Sequence, residues 1–83
     1  MSEAAAAERR RLAWRCRRGM KELDLLLGGW LERHWMQAAP EEKAAFEHFL
    51  DLPDPLIAAY LLGRDVPEEP DLRSLVDRLR AGA

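Results

Sequence analysis

Arg18 and Glu22 place a fixed cation and a carboxylate four positions apart, with Gly19 directly after the arginine. They sit in the stretch Arg15-Cys16-Arg17-Arg18-Gly19-Met20-Lys21-Glu22-Leu23-Asp24, where Arg18 to Glu22 fits an Arg-Gly-x-x-Glu pattern. A guanidinium is a planar fork of donors matched to carboxylates and carbonyls. A glycine lets another backbone approach closely. This is chemistry for binding, although the same spacing also describes an i, i+4 pair at a helix end, worth about 0.2–0.5 kcal/mol.

Other reactive side chains are few. Cys16 is the only cysteine and His34 and His48 the only histidines, too few for a zinc set or an internal disulfide. Cys16 reads as a small buried residue; the cations beside it leave a reactive thiol open, but no base accompanies it. His34 lies on an apolar stripe and reads as a hydrogen-bonded core histidine, and His48 as an outer-face residue. Trp14, among the arginines, would serve as an interface anchor if exposed, since Trp and Arg are enriched in binding hot spots. The chain has no Gly-rich fingerprint, βαβ pattern or metal constellation. No residue is therefore assigned to catalysis, to cofactor binding or to a metal.

Helices must position these groups. Ser2 suits an N-cap, and Glu3 and Ala4 to Ala7 favour a helix that nothing interrupts before Gly19. Its last turn would gather arginines at the negative end of its own dipole, and Gly19 would end it in the left-handed conformation. A second helix is expected from Met20 to about Gln37, because Leu23, Leu26, Leu27, Trp30, Leu31 and His34 form a 3.6-residue stripe. Gly28-Gly29 interrupts it at about 0.8–1 kcal/mol per glycine. The pair could mark a kink or a close approach by a neighbouring helix; the unbroken phase of the stripe favours close packing. A third helix starts at Pro40 and buries Phe46, Phe49 and Leu50. A short fourth follows Asp54-Pro55, with Asp54 as N-cap and Ile57, Tyr60 and Leu61 inward. Gly63 ends it. After a polar loop to Glu69, Leu72, Leu75, Val76 and Leu79 define a fifth, and Ala81-Gly82-Ala83 should fray. The expected fold is all-α: one domain over residues 1–83, a small bundle of about five helices, with the junction at 14–24 at its centre of interest.

Composition narrows the class. Eighty-three residues suit one small core. With 34% charged residues and no apolar run near the ~20 residues of a spanning helix, direct membrane insertion is not expected. The start lacks a secretory pattern and one cysteine suits a reducing interior, so a cytoplasmic location is expected. Residues 1–37 carry eight Lys/Arg against five Asp/Glu, and residues 38–83 five against ten. That split suits docking to a partner. An arginine-rich helix could instead meet nucleic-acid phosphates, but the pI of about 5.7 and the absence of a nucleic-acid motif argue for no nucleic-acid partner.

The stretch Trp14 to Asp24 also resembles the signature of the succinate dehydrogenase assembly factors, or flavinylation factors. The likeness continues through Trp30, Leu31, Glu32 and Trp35, then Glu42-Lys43-x-x-Phe46, Asp54-Pro55, Tyr60 and Leu61, covering Leu12 to Leu62. The resemblance implies a chaperone, not an enzyme. Such proteins bind the flavoprotein subunit of succinate dehydrogenase, and in bacteria also fumarate reductase, and promote covalent attachment of FAD to a histidine of that subunit. The FAD would belong to the partner and no cofactor to this chain. Carried over by position, the resemblance makes Arg18, Gly19 and Glu22 the partner-binding core, flanked by Arg17, Trp14 and Asp24. Arg18 and Glu22 are expected to be solvent-accessible and dispensable for folding. Two departures concern local packing or partner fit: Leu56 where relatives often carry an acid, and Gly28-Gly29 where bulkier residues are usual. The same fold family has also been described as the antitoxin of a membrane toxin, so a regulatory binding module is the alternative reading.

Overall fold

The computed structural model describes residues 3–81, and these form five α-helices and one 3₁₀ turn. α1 spans Glu3–Arg15, α2 Lys21–His34, α3 Pro40–Leu50, α4 Asp54–Leu61 and α5 Pro70–Arg80, with the 3₁₀ turn at Trp35–Gln37. The expected five-helix bundle is the one observed. The N-cap expected at Ser2 and the fraying at Gly82 and Ala83 fall outside the described residues.

α5 is the hub and packs against α2, α3 and α4, while α1 lies against α2. Leu72, Leu75, Val76 and Leu79 recur at i, i+3, i+4 and i+7, so one face of α5 is wholly apolar and buried. Leu23, Leu27, Trp30 and Leu31 do the same for α2. An aromatic cluster joins α2 to α3. The Trp30 ring stacks on Phe46 with centroids 4.6 Å apart, and Trp35 meets both rings, at 6.3 Å from Trp30 and 6.0 Å from Phe46. Truncating a buried aromatic of this kind costs about 3–5 kcal/mol, a large share of a small domain's stability.

Three expectations about these helices are corrected. α1 ends at Arg15, not at Gly19: Cys16 closes the last turn onto Leu12 and Ala13, so Arg17 and Arg18 belong to a loop. The stripe of α2 does not extend to His34, which is exposed. There the chain tightens into the 3₁₀ turn, whose three residues per turn change the phase, and Trp35 takes the buried place. Nor do Gly28 and Gly29 let a neighbouring helix in. A Cβ at Gly28 would meet nothing within 4 Å, and one at Gly29 would meet only the Arg33 side chain of its own helix. Smaller shifts follow the same logic. Asp54 is the first residue of α4 rather than its side-chain cap, and Leu26 and Tyr60 are only half-buried. Gly63 ends α4 as expected, at φ +77°.

Candidate functional site

The loop between α1 and α2 is held by its own side chains. Asp24, in the first turn of α2, accepts the backbone N–H of Arg18 at 2.8 Å and that of Gly19 at 3.3 Å through its two carboxylate oxygens. The negative charge also suits the positive end of α2's dipole. Gly19 has φ +80°, a left-handed conformation that costs most residues free energy and glycine almost none. It is exposed, and a Cβ there would meet no atom within 4 Å. Glycine is thus required by the backbone and not by crowding within the chain.

Arg18 does not point outward. Its guanidinium donates to the carbonyl of Leu50 and pairs with Asp54 at 3.4 Å, with 18% of the side chain exposed. Arg15 does a parallel job, donating to the carbonyl of Glu47 at 3.3 Å and pairing with Asp51. Both cations therefore meet unpaired carbonyls in the last turn of α3, where the helix dipole is negative. Sequence reasoning assigned the arginines to the end of their own helix; the loop carries Arg18 instead to the end of α3 and the start of α4. The expectation that Arg18 is solvent-accessible is corrected accordingly. A charge-assisted, half-buried hydrogen bond is worth about 1.5–3 kcal/mol. Asp54 thereby acquires a structural reason to precede Pro55.

The remaining candidates divide into two groups. Glu22 is exposed and makes no ion pair or hydrogen bond through its carboxylate among the described residues, so it does not orient Arg18. Trp14 is 71% exposed, and the guanidinium of exposed Arg17 lies over its ring at 5.1 Å. Arg17, Gly19 and Asp24 line one groove between α1 and α2, about 1020 Å³ in volume. The structure therefore joins Trp14, Arg17, Gly19 and Asp24 around the loop, and turns Arg18 inward. Sequence reasoning missed Arg15 as a link between elements, and Lys21, which lines the same groove. Lys21 stands inside the Arg-Gly-x-x-Glu pattern at a position the pattern leaves free, so only the groove reveals it.

Cys16 is buried, and that burial pushes its thiol up to about 11 against the lowering effect of Arg18 and Arg15. A thiol so protonated is a packing group at neutral pH, not a nucleophile. Among the described residues no three His, Cys, Asp or Glu side chains converge to hold a metal, and no helix is long and apolar enough to cross a membrane. What the loop offers is a rigid, exposed backbone with cations, a carboxylate and an indole beside it. Indole and guanidinium are the groups most enriched in the hot spots of protein interfaces.

Comparison with known proteins gives that surface a context. The sequence model of a family described as flavinator of succinate dehydrogenase matches residues 10–83. Three relatives each carry the name FAD assembly factor SdhE. That of Coxiella burnetii is 38% identical over 80 residues, covering 96% of this chain and 95% of the relative. That of Methylococcus capsulatus is 43% identical over 75 residues, covering 90% of both. That of Xylella fastidiosa is 39% identical over 75 residues, covering 90% of this chain and 77% of the relative. No solved structure gives a significant match.

Proposed function

We infer the function from one premise: the chain belongs to the family described as flavinator of succinate dehydrogenase. It is an assembly factor that binds the flavoprotein subunit of succinate dehydrogenase and promotes covalent attachment of FAD to it. The flavoprotein of fumarate reductase is a second client. The chain works as a chaperone and not as a catalyst, in the cytoplasm, and the FAD it serves stays on the partner.

The observation that carries this reading is the exposed, left-handed Gly19, locked by the Asp24 carboxylate and bordered by Arg17, Lys21 and Glu22. Attachment joins a nitrogen of the partner's histidine to the flavin, and its rate depends on holding the partner's groups in the reactive geometry. This chain's share is to dock and hold. Gly19 lets the partner's backbone come close. Arg17 offers a forked cation to carboxylates or carbonyls, and Glu22 an unpaired carboxylate to a basic group. Trp14 supplies apolar contact area. Arg18 and Asp24 act one step back: they fix the loop on which these contacts stand.

The test is deletion of the gene, followed by measurement of covalent flavin fluorescence on the denatured flavoprotein subunit. Fluorescence should fall, return with the wild-type chain and stay low with Glu22→Ala. Fluorescence unchanged by the deletion would overturn the reading.

A further inference from the structure

We propose that the docking surface extends from the loop along the groove between α1 and α2, which takes an acidic segment of the partner flavoprotein. This rests on the reading above for the identity of the partner, and on the groove itself for the chemistry of the segment.

The paired glycines are the first reason. Gly28 and Gly29 lie inside α2, where each costs about 0.8–1 kcal/mol relative to alanine. Neither has a positive φ, and no neighbouring helix touches Gly28. Nothing within the fold demands them. Their effect is to keep open the floor of the groove, which they line together with Ala6 and Ala13 of α1.

Charge is the second reason. The groove is lined by Arg9, Arg10, Arg17, Lys21 and Arg33 against two carboxylates, Asp24 and Glu32. Asp24 is already engaged by the amides of Arg18 and Gly19. The lining also carries small and apolar groups, including Leu25, which is 66% exposed. The matching occupant is a segment with carboxylates along its flanks and small or apolar side chains facing inward. Continuity decides whose segment it is: Arg17 and Gly19, at the proposed flavoprotein-binding loop, form one end of the same groove.

Two measurements on the full chain test this. The first is calorimetric titration against the purified apo flavoprotein subunit. Gly28→Gln fills the groove with a better helix former, so it should melt no lower than wild type and bind at least about tenfold more weakly. Arg9→Glu with Arg10→Glu should lose as much and flatten the dependence on salt. Binding by Gly28→Gln within about twofold of wild type would overturn the proposal. The second uses a synthetic peptide of about 15 residues, built from Glu, Ala and Leu to be helical, and follows backbone amides by NMR. The amides of Gly28 and Gly29 should shift at low salt in the wild type, and the amides around position 28 should stay still in Gly28→Gln. Absent shifts would overturn the groove even if the flavoprotein binds. Shifts with the peptide but no binding of the flavoprotein would remove the flavoprotein as occupant and with it the proposed function. Dimerisation abolished by Gly28→Gln would make a second copy the occupant and also overturn the proposal.

Discussion

Asp24 clamps Gly19: one carboxylate oxygen accepts the Gly19 amide at 3.3 Å while the other accepts the neighbouring amide of Arg18 at 2.8 Å. The clamp fixes the backbone at the point where it must be left-handed and exposed. Asp24→Ala frees two amides, as removal of a helix cap does, and should cost about 0.5–2 kcal/mol in thermal or denaturant melts. Covalent flavin attachment should fall further than that loss of stability explains. Asp24→Asn keeps one acceptor oxygen, for the closer Arg18 amide, and sets an NH2 donor against the Gly19 amide, so it should recover only part of the loss. Attachment at the wild-type level in Asp24→Ala would show that the clamp does not matter.

Arg18→Ala should destabilise the domain by about 1.5–3 kcal/mol, because it removes the donor to the Leu50 carbonyl at the end of α3 and the ion-pair partner of Asp54. Urea melts measure this directly. A melt indistinguishable from wild type would show that Arg18 is free to serve a partner.

Glu22→Ala should behave in the opposite way. Its carboxylate is exposed and unpaired within the chain, so stability should stay within about 0.5 kcal/mol of wild type. Flavin fluorescence on the partner subunit should nevertheless drop. The Arg18 and Glu22 variants thus separate holding the loop from making contact through it.

Gly19→Ala imposes a left-handed φ on a residue with a Cβ, at a cost of about 1 kcal/mol. Gly19→Arg adds bulk into open space and should melt much like Gly19→Ala, yet support less flavin attachment. Equal activity in the two would show that no partner backbone approaches at Gly19.

Leu27→Asp should abolish the fold. Leu27 is fully buried, and an uncompensated buried charge costs several kcal/mol against a total of about 5–15. Circular dichroism should show no cooperative melt at ambient temperature.

The Cys16 thiol gives the chain an alkaline limit. Its pKa rises from 9.0 to about 11 on folding because burial disfavours the thiolate. The folded state then holds the proton more tightly than the unfolded state. The stabilisation is complete below about pH 9 and is lost as pH climbs toward about 11. Cys16→Ala should flatten this alkaline decline, and iodoacetamide should label native wild type slowly at pH 8.

Most of the fold is legible along the chain because it rests on local patterns. Leu23, Leu27, Trp30 and Leu31 mark the buried face of α2, and Leu72, Leu75, Val76 and Leu79 that of α5, since periodicity of 3.6 is a property of neighbouring residues. Pro40, Pro53 and Gly63 place helix boundaries through the conformations that a proline ring or a missing Cβ allows. The left-handed Gly19 is legible for the same reason, and so is the motif that identifies the family.

Tertiary structure decided where the side chains of that motif go. Arg17 and Arg18 are adjacent and chemically identical, yet one lies over Trp14 and the other reaches Leu50, 32 residues away. No local pattern contains that choice; it depends on α3 ending beside the loop with the Glu47 and Leu50 carbonyls within reach of the arginines. Position in the motif marks Asp24 as a partner contact; only the structure shows its carboxylate accepting two amides of its own chain. The Gly28-Gly29 pair read as close packing, because spacing shows which face a glycine occupies and not what stands opposite it. Only the position of α1 shows that what stands opposite is an open, cation-lined groove.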